Sequence, residues 1–178
     1  MTKYAGRTAV VLTGAPGIAL AIAKRLVEGG AQVVLTARTT EERHRRCAEL
    51  GSTARIVAPA DVPACLGGGA DLLFADAADT VRPLLPCLGD GGAVVLTAPG
   101  APSAALRALA AELVSRGIRV NAVAPGCIRA PGDDAVPLPP MGRLGAAEEV
   151  ARAALFLATD ATFTTGVRLP VDGGLGRP

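Results

Sequence analysis

Short apolar runs alternate with amphipathic or polar stretches along the whole of this 178-residue chain. Runs of this kind, bounded by glycine and rich in valine, leucine and alanine, are typical of buried parallel strands. The pattern predicts seven strands, which are Thr8 to Thr13, Gln32 to Thr36, Ala54 to Ala58, Asp71 to Ala75, Ala93 to Thr97, Ile118 to Val123 and Val167 to Val171. Because helical segments separate these strands, we expect a single α/β domain with a doubly wound parallel sheet.

Helices are predicted where apolar positions recur at helical spacing. The first contains Ile18 and ends before Gly29, a stop signal. Ser103 is predicted to cap a second helix. Glu148 opens the last helix, where an acidic side chain favours the helix dipole. The proline-rich stretch 125–145 is not expected to be helical.

Two connections between predicted strands are short. Nine residues separate Asp61 from Asp71, and three of them are glycines, so about one turn of helix fits there. A parallel crossover usually needs a dozen or more residues including a helix, and this first connection falls below that length. The connection from Asp76 to Gly92 contains Pro83 and Pro86 and is also short for a crossover of this fold. We therefore expect one face of the sheet to be thinly covered. The apolar surface left on it predicts a homodimer or homotetramer.

Composition narrows the range of partners. A net charge of +2 and an aromatic content of 2% disfavour nucleic acid, which needs a basic surface or stacking platforms. No stretch approaches the roughly 18 apolar residues of a membrane span, so we expect a cytoplasmic protein without a membrane partner. The four cysteines include no CxxC pair, which predicts reduced thiols and no metal site. A small-molecule substrate is the expected partner.

A glycine-rich turn, Thr13-Gly14-Ala15-Pro16-Gly17-Ile18-Ala19, joins the first strand to the first helix. A helix that starts behind such a turn directs backbone N–H groups and the positive end of its dipole at a phosphate. Two later segments accompany it, Val120-Asn121-Ala122-Val123-Ala124-Pro125-Gly126 and Leu169-Pro170-Val171-Asp172-Gly173-Gly174. Together the three resemble the short-chain dehydrogenase/reductase family, whose Rossmann fold binds a nicotinamide dinucleotide.

The resemblance implies a set of cofactor-binding residues. They are Gly14, Pro16, Gly17, Ile18, Arg38, Asp61, Val62, Pro125 and Gly126. In the family, the aspartate that matches Asp61 contacts adenine. Where an acidic residue would accept the ribose hydroxyls of NAD, this chain has Arg38, which can pair with the 2′-phosphate of NADP or be a solvated arginine at a loop start. NADP is therefore the expected cofactor, and loss of cofactor binding stays open.

The same resemblance implies catalytic groups that this chain does not supply. The family uses a tyrosine as general acid, a lysine four residues later and a serine that polarises the carbonyl. Tyr4 is the only tyrosine and Lys24 the last lysine, both far from the matching positions. Thr97 either stands in for the serine or is a buried threonine. Ser103 either lies near the lysine position or only caps its helix.

Acids and a thiol at the carboxyl ends of the strands are the remaining candidates for chemistry. Asp76 follows the fourth strand and is our first choice for a proton donor or acceptor, the alternative being that it caps a turn. Asp79, Asp133 and Asp134 are further carboxylates in this region. Cys127 is a weaker candidate, because no histidine is placed to activate it.

These features leave three functions open. We expect non-redox biosynthetic chemistry, such as cyclisation, isomerisation or dehydration of an apolar, oxygenated, polyketide-like molecule, with Asp76 and Thr97 in the site. A catalytically silent family member that works as a binding or partner subunit is the second hypothesis. An NADP-dependent reductase with a non-standard proton donor is the third.

Overall fold

The computed structural model describes residues 2–12, 14–97, 103–129 and 137–176. It contains seven parallel strands, which are β1 Thr8–Val11, β2 Gln32–Thr36, β3 Ala54–Val57, β4 Ala70–Ala75, β5 Leu88–Thr97, β6 Arg119–Pro125 and β7 Arg168–Val171. They form one sheet in the order β3-β2-β1-β4-β5-β6-β7. The order reverses between β1 and β4. Ligands of such sheets bind at this switch point, outside the carboxyl ends of the strands. The predicted fold class is confirmed.

Helices cover both faces of the sheet, but unequally. They are α1 Pro16–Glu28, α2 Thr40–Leu50, α3 Val62–Cys65, α4 Ala78–Val81, α5 Ser103–Leu113 and α6 Ala147–Leu155. The buried residues of α1, α2 and α6 pack on one face. Residues of α3, α4 and α5 pack on the other. Since α3 and α4 are single turns of four residues each, α5 is the one full helix on this second face within the described ranges.

The predicted strands agree with the observed ones to within two residues, apart from β5. That strand begins at Leu88 instead of Ala93, because Leu88 pairs with Ala70 ahead of a shift in the register between β4 and β5. Helix α5 begins at Ser103, the residue that the sequence predicts as its cap. Helix α2 was not predicted individually, because its sequence TEERHRRCAEL is mostly polar.

The two short connections bury the sheet in spite of their length. Val62 of α3 is fully buried, and the connection between β4 and β5 buries Val81 of α4 and Leu84 of the 3-10 turn Arg82–Cys87. Strand residues on this face, such as Leu73, are buried as well. The cover is thin, as the sequence predicted, but it leaves little strand surface exposed among the described residues.

Arg116 fastens the second short connection to the rest of the fold. It lies in the 3-10 turn that follows α5. Its Nε donates to Asp90 Oδ1 at 2.8 Å, and its two terminal nitrogens donate to the carbonyls of Leu85 at 3.1 Å and Leu88 at 2.5 Å. One planar guanidinium thereby joins the end of α5 to the 3-10 turn and to the start of β5.

None of the helices in the described part of the chain is both long enough and apolar enough to cross a lipid bilayer.

Candidate functional site

The glycine-rich turn leads directly into α1 at the switch point of the sheet. Pro16 occupies the first turn of α1, where the missing N–H of proline costs no hydrogen bond. The N-cap residue is Ala15, whose methyl group cannot accept a hydrogen bond from the helix. The first backbone N–H groups of α1 and the positive end of its dipole are therefore directed at the crevice, an arrangement that suits a phosphate.

Asp76 lies against this turn. It follows β4, is half-buried, and its Oδ2 accepts a hydrogen bond from the backbone N–H of Gly14 at 2.5 Å. A Cβ on Gly14 would stand 2.8 Å from the same oxygen and 3.8 Å from Nη2 of Arg38. Three residues singled out from the sequence, Gly14, Arg38 and Asp76, thus meet at one point. The contact also gives the Asp76 carboxylate a structural partner.

Thr97 is buried at the end of β5, and its hydroxyl donates to the carbonyl of Ala75 on β4 at 3.4 Å. Thr36 has the same arrangement at the end of β2, with its hydroxyl 3.4 Å from the carbonyl of Val11 on β1. Each hydroxyl joins the end of one strand to the next strand. The position of Thr97 matches the buried-threonine alternative.

Tyr4 and Lys24 are both held away from the turn. The Tyr4 side chain is buried over the C-terminal end of α1, where a Cβ on Gly29 would overlap its ring. This is the end of α1 that lies opposite the glycine-rich turn. Nζ of Lys24 pairs with Oε2 of Glu49 on α2 at 2.7 Å. The family's usual proton donor and its lysine have no counterpart from these two residues.

A cavity of about 530 Å³ opens beside the start of α1. Its walls come from α1, from α2 and from the segment that follows β6, and they consist of Ala15, Pro16, Gly17, Ile18, Leu20, Glu42, Arg45, Arg46, Glu49, Ile128, Arg129 and Ala147. A smaller polar pocket of about 40 Å³ is lined by Leu12, Gly14, Thr36, Arg38, Glu42 and Arg46. Glu42 and Arg46 line both spaces.

Sequence reasoning missed the pair formed by Glu42 and Arg46. Arg46 is 5% exposed, and its Nη2 lies 2.5 Å from Oε1 of Glu42. Burial lowers the pKa of the Arg46 guanidinium, while the Glu42 carboxylate raises it. The available signal was the spacing of Thr39 and Glu42, which fits a helix start with an acid at the third helical position. In the structure, the Thr39 hydroxyl accepts the Glu42 N–H at 3.1 Å.

The other predicted cofactor residues lie on different elements. Asp61 is exposed in the 3-10 turn Pro59–Asp61 after β3, and Val62 beside it is in the core. Pro125 ends β6, and the N–H of Gly126 donates to Val171 of β7 at 3.0 Å. A Cβ on Gly126 would overlap Asp172, so the close approach of the two strand ends requires glycine there.

Cys127 lines a separate cavity of about 310 Å³, together with Arg143, Glu149 and Asp172. Arg143 holds both oxygens of Glu149 at 2.8 Å, and this hydrogen bonding lowers the pKa of Glu149 to about 2. The N–H groups of Gly174 and then Gly176 lower the pKa of Asp172. Both carboxylates are therefore anionic near neutral pH.

Cys127, His44 and Asp79 do not line the two cavities beside the glycine-rich turn. The Sγ of Cys127 lies 3.8 Å from the carbonyl of Pro137, and the one histidine, His44, is exposed on α2. Asp79 is exposed on α4. Asp133 and Asp134 lie outside the described residues. Within the described ranges, no cluster of three or more His, Cys, Asp or Glu side chains is placed to hold a metal ion.

Comparison with known proteins gives two family matches. Residues 89–176 match a family model described as enoyl-(acyl carrier protein) reductase, and residues 7–64 match short chain dehydrogenase. Oxidoreductase asL5 of Sarocladium schorii is 29% identical over 98% of both proteins. The alignment runs over 243 positions, so it includes stretches with no counterpart in these 178 residues.

Two further similarities bear on the family. The 3-oxoacyl-[acyl-carrier-protein] reductase FabG of Escherichia coli is 41% identical over 54% of this chain and 44% of its own length. A solved structure of a short chain dehydrogenase/reductase family protein is 30% identical, with a TM-score of 0.80, over 97% of this chain and 98% of that one.

Proposed function

This chain belongs to the short-chain dehydrogenase/reductase family, and we propose that it binds NADP at the glycine-rich turn without carrying out tyrosine-dependent carbonyl reduction. The burial of Tyr4 over Gly29, at the end of α1 away from the turn, carries this proposal. Tyr4 is the only tyrosine of the sequence, so no other phenol is available to protonate a carbonyl oxygen at the crevice.

The residues around the turn fit a dinucleotide. Gly14 has no side chain at the point where Asp76 and Arg38 approach, and Gly17 belongs to the first turn of α1, whose backbone N–H groups suit a phosphate. Arg38 carries the charge that a 2′-phosphate requires. When bound, the dinucleotide supplies a nicotinamide ring that can give or take a hydride.

The reaction proposed for the crevice is proton transfer without net redox change. Cyclisation, isomerisation or dehydration of an apolar, oxygenated, polyketide-like molecule belongs to this class. Asp76 supports it, because this half-buried carboxylate lies at the switch point of the sheet, where ligands of such folds bind. In this proposal Asp76 moves the proton, and Thr97 holds the end of β5 against the carbonyl of Ala75, the residue before Asp76.

Two alternatives each have an observation in their favour. The carboxylate of Asp76 and the hydroxyl of Thr97 both bond to backbone groups, which favours a catalytically silent binding or partner subunit. The relatives asL5 and FabG are named as an oxidoreductase and a reductase. That favours an NADP-dependent reductase with a non-standard proton donor.

A calorimetric titration with NADP and NADPH, followed by a turnover assay, separates these functions. The assay incubates the protein and NADPH with a panel of polyketide-like ketones and follows products by mass spectrometry. We expect binding, no oxidation of NADPH, and a product that has lost water or kept the mass of its substrate. A product that has gained two hydrogens, with matching oxidation of NADPH, establishes the reductase. The absence of any conversion of the panel favours the silent subunit.

A further inference from the structure

The end of β2 holds a carboxylate in the position of an anionic ligand. Oε2 of Glu42 accepts the backbone N–H of Arg38 at 2.7 Å, and Oε1 accepts Nη2 of Arg46 at 2.5 Å. The second terminal nitrogen of Arg46 donates to the carbonyl of Thr36, the last residue of β2. One carboxylate therefore accepts hydrogen bonds from both the strand end and the helix.

Without the Glu42 carboxylate, the positive charges of Arg46 and Arg38 beside it would not be offset. Arg46 is 94% buried in its side chain, and Arg38 is close enough for its charge to disfavour the protonated guanidinium of Arg46. Two guanidinium groups and a backbone N–H would form a site for a doubly charged anion if the Glu42 carboxylate were withdrawn. A buried charge that loses its partner is costly, so some anion must take that place.

Position links this pair to the dinucleotide site. Glu42 and Arg46 line both the 530 Å³ cavity at the start of α1 and the 40 Å³ pocket next to Gly14 and Arg38. They therefore form the wall between the two spaces. The Glu42 side chain is 26% exposed, which gives the carboxylate a path into solvent. Its withdrawal would widen the small pocket at the point where Arg38 approaches the turn.

We propose that Glu42 is an internal substitute for the 2′-phosphate of NADP, which must displace the Glu42 carboxylate from Arg46 and from the Arg38 N–H in order to bind. This inference rests on the proposed binding of NADP at the glycine-rich turn. It makes Glu42 a specificity-determining residue, because NAD carries no phosphate that competes for these donors. The carboxylate weakens binding of the phosphorylated cofactor and holds Arg46 in place in its absence.

The test measures dissociation constants of NADP, NAD and 2′,5′-ADP by calorimetry for the wild type, Glu42→Gln and Glu41→Gln. Glu41 is the matched control, because it lies in the same first turn of α2 but pairs with the exposed Arg45 at 3.1 Å. We expect Glu42→Gln to tighten NADP and 2′,5′-ADP by on the order of tenfold, since a competing charge near the phosphate is removed. Binding of NAD should change by less than about twofold, as should every value for Glu41→Gln.

Glu42→Gln is expected to lower stability, so a second measurement follows the melting temperature of the variant with and without an added anion. Inorganic phosphate should raise the melting temperature of Glu42→Gln more than that of Glu41→Gln, because it supplies the missing anion. If Glu42→Gln cannot be purified, Glu42→Asp, which retracts the charge by one methylene, should still tighten NADP relative to the wild type. Equal NADP affinities in the Glu42 variant and in Glu41→Gln overturn the inference alone. Failure of all the proteins to bind NADP and 2′,5′-ADP overturns the proposed cofactor site as well.

Discussion

The carboxylate of Asp76 and the backbone N–H of Gly14 form a 2.5 Å hydrogen bond that ties the end of β4 to the glycine-rich turn. Gly14 follows β1 and Asp76 follows β4, which are neighbours in the sheet, although 62 positions separate the two residues along the chain. A side chain proposed for chemistry thus also shapes the glycine-rich turn. Substitutions at Asp76 and at Gly14 should therefore affect both the chemistry and the structure of the turn, and the two effects can be measured separately.

Replacing Asp76 with asparagine should remove the charge of the side chain but keep its hydrogen bond to Gly14. The amide oxygen of asparagine can still accept the Gly14 N–H, so the melting temperature of Asp76→Asn should stay close to that of the wild type. Turnover in the mass-spectrometric assay should fall by about 10²- to 10⁴-fold, the usual contribution of one general acid or base. Asp79→Asn, at an exposed carboxylate of α4, should keep full turnover. Full activity in Asp76→Asn would show that the carboxylate is structural.

A methyl group on Gly14 should disturb the turn directly. It would stand 2.8 Å from Oδ2 of Asp76, so the carboxylate or the turn must move. We expect Gly14→Ala to lower the free energy of unfolding by about 1–2 kcal/mol and to weaken NADP in calorimetry. Gly67→Ala is the control, since nothing lies within 4 Å of its Cβ position. Wild-type affinity for NADP in Gly14→Ala would count against a phosphate at this turn.

Arg119 should be a strong determinant of stability. One of its terminal nitrogens donates to the carbonyls of Leu157 and Ala161, at 2.6 and 3.0 Å, and the other donates to Ala158 at 2.6 Å. These are carbonyls in and just after the π-helical turn Phe156–Asp160. Arg119→Met should lower the free energy of unfolding in urea by about 2–3 kcal/mol, because several charged hydrogen bonds are lost together. Arg119→Lys should lose less, and a loss below about 0.5 kcal/mol in Arg119→Met would contradict this assignment.

The pair of Arg143 and Glu149 should give stability a dependence on acid. The pKa of Glu149 is lowered from 4.5 to about 2 in the folded protein, so the folded state binds its proton less readily than the unfolded state. The stabilisation is therefore complete above about pH 5 and is lost as the pH falls from about 5 to about 2. Glu149→Gln should show a smaller loss of stability than the wild type between pH 6 and pH 3, measured as urea midpoints. The difference between the two proteins in this loss of stability should be small, because the ion pair is exposed.

Large apolar side chains near the edge strand β7 predict self-association. Phe163 is fully exposed and Phe156 is 50% exposed, and both precede that strand. We expect a homodimer or homotetramer in sedimentation at micromolar concentration, because apolar surface of this kind is usually buried by a partner. Phe156→Ser combined with Phe163→Ser should shift the protein toward the monomer. A wild-type monomer at that concentration would refute the expectation.

The order of elements could be predicted from the sequence because it depends on strong local signals. Apolar runs such as 93–97 and breaks such as Gly29 and Gly117 mark strand cores and helix ends without reference to the rest of the fold. The early start of β5 could not be predicted in this way. Residues 88–92 are mostly glycine and aspartate, and they are extended because Leu88 pairs with β4.

The site was predicted in part. That Gly14, Arg38 and Asp76 would meet follows from a general rule, since carboxyl ends of parallel strands share one edge. The pair of Glu42 and Arg46 was missed because charged residues on a polar helix are normally solvated, and burial of Arg46 depends on how α2 lies against β2. The partner of Thr97 was also hidden, because Ala75 offers its backbone carbonyl and no side chain.

The buried ring of Tyr4 also makes the protein a convenient object for spectroscopy. The sequence contains no tryptophan, so this one tyrosine dominates intrinsic ultraviolet fluorescence. Because the ring packs on Gly29 at the far end of α1, its emission reports on the packing of the N-terminal segment and on unfolding, and not directly on the crevice. Emission of added NADPH, recorded in the same sample, would then test the proposed binding at the turn. Folding and cofactor binding can be recorded in one cuvette, without a label.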